Sequence, residues 1–136
     1  MGTRSLTRVI CDGQNHLGMY LQLDGYLAGH GKDLFNFLDG MAVVNGISGK
    51  EPPKFASGAG CLAAQLVAHF KKEPGGCYLY PTDQEDCDQA YTYTINVSEP
   101  TFNTGGSLTI TVGKFTGTLA EFGALINNPN AENDEE

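Results

Sequence analysis

From residue 4 the chain reads RSLTRVIC, β-branched and apolar enough for a strand over residues 4–11. Asp12-Gly13 follows, a hairpin signal, because both central residues of a tight type I′ turn need positive φ. Residues 17–23, LGMYLQL, alternate: Leu17, Met19, Leu21 and Leu23 share one face, while Gly18, Tyr20, Gln22 and Asp24 share the other. The chain therefore opens with a hairpin, for which two registers compete. A two-residue turn pairs Cys11 with Gln14. A five-residue loop pairs Cys11 with Leu17 and brings Arg4 to Asp24 and Arg8 to Tyr20. The longer loop is favoured here for its ion pair and cation–π contact on the polar face.

After a glycine-rich loop the period changes. Leu34, Phe37, Leu38 and Met41 recur at helical spacing, which predicts a helix over about 32–40, with Gly40 as its stop. Residues 42–56 read as a connection, since Gly46, Gly49 and Pro52-Pro53 oppose regular structure. Ser57 can cap a helix through CLAAQLVAHF, apolar almost all round and closed by Lys71-Lys72 and Pro74-Gly75-Gly76. The second half is predicted to be β: strands at 77–80, 90–97 and 107–112, joined by an acidic loop (PTDQEDCDQ) and a turn at 100–106, pairing as an antiparallel meander. Thr118-x-x-Glu121 opens a last helix. The expected class is α+β: an antiparallel sheet, built from the N-terminal hairpin and a C-terminal three-strand meander, with two to three helices packed on one face. Residues 1–126 form one domain, and 127–136 (NNPNAENDEE) an acidic, disordered tail.

At 136 residues the chain is long enough to build a core without disulfides or a metal. Its net charge of −8 and its scattered lysines and arginines exclude a non-specific nucleic-acid binder, because phosphate contacts need clustered basic residues. No apolar run is long enough to span a bilayer, and the N-terminal residues lack the apolar core of a signal peptide, so a cytoplasmic location without a membrane partner is expected. Cys11, Cys61, Cys77 and Cys87 form no CxxC and are expected as reduced thiols.

Potential chemistry concentrates in LQLDGYLAGHGK, residues 21–32. Gly-His-Gly-Lys at a helix start offers backbone N–H groups beside a cation, a cradle for phosphate or another anion. The competing reading is a glycine-rich turn in which His30 packs locally. Asp24, Tyr26, His30 and Lys32 are the candidate ligand-binding residues. Tyr78 and Tyr80, spaced two apart, form either an exposed stacking platform or core, as do Tyr91 and Tyr93. Arg4 and Arg8 of the hairpin are the nearby cations. No metal is expected, because no His-x-x-x-His or Cys-x-x-Cys is present, and no cofactor is expected. Cys61 lies in an apolar helix and reads as an inert thiol.

The strings MGTRSLTRVI, MYLQLDGYLAGHGKDL, VVNGI, GCLAAQLVAHFK and GGCYLYP resemble a family of small uncharacterised proteins of bacteria, mobile elements and phages. The resemblance covers about residues 1–95 and carries no activity. It implies a cytosolic protein, in the host cytoplasm if phage-encoded. The leading expectation is a small non-enzymatic binding protein for a phosphate-bearing or nucleotide-like ligand, or for a host protein. In the phage setting it would sequester a host defence signal. The alternatives are a phosphoesterase or nucleotide hydrolase using His30 as general acid/base with Lys32 stabilising charge, and an interaction module acting through the acidic face at 83–88.

Overall fold

The computed structural model describes residues 2–45, 54–98 and 106–128. Strand β1 (Ser5–Cys11) lies near the middle of a seven-stranded sheet. Asp12 (φ 54) and Gly13 (φ 77) make the two-residue turn into the short strand β2 (Gln14–Asn15), pairing Cys11 with Gln14 and Ile10 with Asn15. The longer loop is therefore not formed. Nor does the two-residue register continue: β3 (Met19–Leu21) pairs one residue further on, with Ser5 opposite Leu21 and Thr7 opposite Met19. The extra residue is taken up at Val9. Its N–H donates to Asn15 Oδ1 (3.2 Å), its carbonyl accepts from His16 N (2.7 Å), and Leu17 N donates to the same Asn15 oxygen (3.1 Å). The reason is parity. An unbroken two-residue register pairs odd residues with even ones, and directly opposed side chains share a face. Val9 and Cys11 would then face away from Met19 and Leu21. A one-residue bulge brings all of them to one side.

The second half departs from the expected meander. Strand β6 (Cys77–Leu79) joins β3 at one edge of the sheet. Strand β7 (Tyr91–Val97) enters on the other side of β1, parallel to it, from Ser5 opposite Tyr91 to Cys11 opposite Val97. β8 (Leu108–Val112) pairs antiparallel with β7, and β9 (Phe115–Thr118), not anticipated from the sequence, pairs with β8 across the turn at Gly113 (φ 58). The order is β6-β3-β1-β7-β8-β9, with β2 beside β1. Loop 81–90 must cross three strand spacings, about 14 Å, a distance ten residues span easily. Arg4 anchors its far end. The Arg4 carbonyl accepts from Ala90 N and Tyr91 N, and the guanidinium pairs with Asp88 at 2.8 Å. Burial explains the central placement, since β1 and β7 carry apolar or aromatic residues that lose nearly all solvent contact: Leu6, Val9, Tyr93 and Ile95.

Among the described residues three helices complete the fold: α1 (Lys32–Leu38), α2 (Gly58–Phe70) and α3 (Leu119–Ile126). Thr118 and Glu121 form the expected capping box on α3. The core joins Leu34, Leu38, Leu62, Leu66 and Phe122 of the helices to Val9, Met19, Tyr93, Ile95, Ile110 and Val112 of the sheet. Within the stretch read as a connection, β4 (Ala42–Val44) and β5 (Phe55–Ser57) make a two-stranded parallel pair. The class is thus mixed α/β with a mostly antiparallel sheet. No helix among the described residues is long and apolar enough to cross a membrane. The glycines and prolines at 46–53, the turn expected at 100–106 up to residue 105, and the acidic tail from 129 on lie outside the described residues.

Asn15→Ala leaves two backbone N–H groups at the bulge without their acceptor. It should lower stability by about 1–3 kcal/mol in urea denaturation, whereas Gln14→Ala, at an exposed neighbour, should change it by less than about 0.5 kcal/mol. Equal effects of the two would remove Asn15 from the register argument.

Candidate functional site

The turn from β3 into α1 lies against the sheet; Gly25 and Gly31 answer to that contact, and Gly29 to the close Asp24 carbonyl within the turn. Gly25 N donates to Thr3 O (2.8 Å), and a Cβ at Gly25 would stand 2.8 Å from the Ser5 Cβ and 2.9 Å from the Arg4 carbonyl carbon. Asp24, at φ 59, directs its carbonyl back to accept from His30 N (2.6 Å). Residues Leu27–Gly31 then form one wide π turn that runs directly into α1. The amides from Gly29 to Lys32 are engaged: Gly29 N and Gly31 N donate to Tyr26 O, His30 N to Asp24 O, and Lys32 N to the carbonyls of Leu27 and Gly29. The N–H groups that the glycine pattern offered to an anion are thus taken by the turn itself.

His30 is turned inward, at 3% exposure. Its Nε2 lies 2.9 Å from Thr7 Oγ1, and its ring meets Phe70 (4.9 Å) and Tyr93 (5.1 Å) edge-on. Burial lowers its pKa from 6.5 to about 4, so the imidazole is neutral at neutral pH. Beside it Tyr93 Oη donates to Gly25 O at 2.7 Å, both groups buried.

This pinned turn forms one wall of a cleft with two lobes. The first, about 230 Å³, is lined by Asp24, His30, Asp33, Phe70, Lys72, Glu73 and Cys77, with Leu21 and Leu23 at the end of β3. The second, about 560 Å³, is lined by Asp33, Asn36, Phe37, Lys54, His69, Phe70 and Lys72. Asp33, Phe70 and Lys72 belong to both, so the lobes flank Phe70. Phe37, His69 and Phe70 form an aromatic wall, with ring centroids 4.7 Å apart for Phe37–His69 and for His69–Phe70. Lys54 Nζ lies 5.9 Å from the centre of the Phe37 ring and donates to the carbonyls of Asn36 (3.2 Å) and Asp39 (2.7 Å). The His69 pKa is lowered by desolvation, then by Lys72 and Lys54, with Asp33 opposing. Carboxylates outweigh cations in the first lobe (Asp24, Asp33 and Glu73 against Lys72). In the second, Lys54 and Lys72 outweigh Asp33. Burial raises the Cys77 thiol, with the Lys71 charge opposing.

Of the residues expected at a site, Asp24 and His30 reach the cleft. Tyr26 lines neither lobe; its hydroxyl lies 3.4 Å from Asp24 Oδ1. Lys32 is exposed on α1 and lines neither lobe. Arg4 finds Asp88 instead of Asp24, because the hairpin register places it elsewhere. Arg8 sits on the opposite face of β1, half-buried, level with Thr94 and with its Nε buried without a partner among the described residues. Tyr78 and Tyr80 gather around Tyr20, at 6.4 and 5.2 Å, on that opposite side. Tyr93 is core. Lys54, Phe70 and Lys72 were not among the expected residues, and His69, a plausible base by its type, reads more simply as a residue near a helix C-terminus. The signal was HFKK at the end of α2, where the lysines also complement the helix dipole. Among the described residues no group of three His, Cys, Asp or Glu side chains is arranged to hold a metal. No protein-family model matches the chain, and neither a curated protein nor a solved structure shows significant similarity to it.

His30 also makes the fold sensitive to acid. Unfolding returns its pKa toward 6.5, so between pH 6.5 and 4 the unfolded chain binds the extra proton and stability falls as pH falls. From pH 7 to pH 5 the loss from this residue should be about 2 kcal/mol by denaturant titration. His30→Gln should show that much less pH dependence over the same interval. An unchanged dependence in the variant would contradict a buried, neutral imidazole.

Proposed function

We propose that the protein is a non-catalytic binding protein for a small nucleotide-like ligand held in the two-lobed cleft. The observation carrying this reading is the division of charge across Phe70. The second lobe combines an aromatic wall with Lys54 and Lys72, which suits a phosphate beside a ring that stacks on Phe37 or His69. The first lobe, rich in carboxylates, suits the hydroxyl and amino donors of a sugar or base. The second lobe, about 560 Å³, is of a size used for such molecules. Lys72 makes no hydrogen bond or ion pair to a described residue and reaches both lobes, so it is the cation to which a phosphate would turn.

Catalysis by His30 has less behind it. Its Nε2 is engaged by Thr7, its proton affinity is low, and Lys32 is not beside it in the cleft. Binding alone fits sequestration of a host signalling nucleotide, one concrete role for a phage-borne gene.

Calorimetric titration with a panel of mono-, di- and cyclic nucleotides tests the proposal. At least one should bind saturably, about tenfold or more weaker to Lys72→Ala and unchanged to Lys32→Ala. No binding across the panel, or equal losses in the two variants, would overturn it.

A further inference from the structure

Strand β6 is one edge of the large sheet. Gln22 N donates to Gly76 O and Tyr80 N to Gly18 O, which makes Tyr20 and Tyr78 a mutually hydrogen-bonded pair. The backbone groups of Cys77 and Leu79 consequently point away from β3. Lys71 Nζ meets one of them, the Cys77 carbonyl, at 2.9 Å. The large apolar side chains exposed among the described residues are Leu23, Tyr26, Tyr78 and Leu79, and two of these stand on this three-residue strand. The opposite edge, β9, carries none of them. Charge is divided along the chain around β6. Lys71 and Lys72 lie before it, exposed, with one carboxylate, Glu73, beside them, and Asp83, Glu85 and Asp86 lie after it, also exposed, so the chain is net positive before the strand and negative after it.

We propose that β6 pairs with the β6 of a second copy, antiparallel about a two-fold axis, to join the two sheets into one. In antiparallel pairing the start of each strand meets the end of its partner. A strand with cations before it and carboxylates after it is therefore complementary to itself, and a parallel copy would set like charges together. Cys77 and Leu79 supply the outward backbone groups, Leu79 and Tyr78 supply the apolar contact, and Lys71, already placed on the edge, faces the partner's acidic loop. This pairing is independent of what the cleft binds.

Sedimentation velocity from about 1 μM to about 1 mM reads the result. The expected finding is a concentration-dependent monomer–dimer equilibrium that weakens with salt. Leu79→Lys, at an exposed side chain, should weaken it at least about tenfold with the circular dichroism of the native protein retained. Lys71→Glu and the double variant Asp83→Lys/Asp86→Lys should each weaken self-association, and mixing these two should restore a heterodimer, since opposite charges then meet at both ends of the strand. A protein monomeric at every concentration, a dimer indifferent to Leu79→Lys, or a mixture that stays monomeric would each overturn the proposal.

Discussion

The hydrogen bond from Tyr93 Oη to the Gly25 carbonyl holds the two halves of the molecule in one arrangement. It is buried, so leaving it unmade would cost about 1–3 kcal/mol, well above the net value of an exposed bond. Tyr93 comes from β7, in the second half of the chain, and Gly25 from the turn after β3, in the first. The pairing of Thr7 with His30 fixes the same turn two residues from the Ser5–Gly25 contact. With the turn pinned at both points, α1 starts where it must, and Asp24, His30 and Asp33 come to face the end of α2. Had β7 paired where the simplest meander would put it, no residue would reach Gly25 from this side.

Local pattern was a good guide wherever one strand or helix decides its own form. The alternation of 17–23 and 90–97, the helix after Ser57 and the Thr118–Glu121 box all correspond to observed elements. What local pattern could not resolve was partnership. Strands 77–79 and 91–97 are neighbours in the chain, yet the first belongs beside β3 and the second beside β1, because the apolar side chains of β7 gain more burial at the centre. The hairpin register shows the same limit in miniature. Weighing Arg4–Asp24 against the Asp-Gly turn compared two surface terms, while face parity was the stronger constraint and a bulge satisfied it without giving up the turn.

The site followed a similar course. Glycines 25, 29 and 31 looked like a ligand cradle, but close approach to β1 and the amide bonds of the π turn account for them. His30, the most chemical residue of the segment, is held neutral by burial. The cations and rings of the second lobe lie opposite, at the end of α2 and beside β5, where a run of His, Phe and Lys reads as an ordinary helix terminus until the fold sets it across from Asp24 and Asp33. Asp24 was legible as a cleft residue; Lys72 required the tertiary structure, because nothing in its own segment says what it faces.

The most direct test of the cleft as the ligand site is a map of backbone amide chemical shifts in ¹⁵N-labelled protein titrated with the tightest-binding nucleotide. Shifts should concentrate at Asp33, Asn36, Phe37, Lys54 and His69 to Glu73, with smaller ones at Asp24 and His30. A map centred on Tyr20, Tyr78 and Arg8, on the opposite face of the sheet, would contradict it.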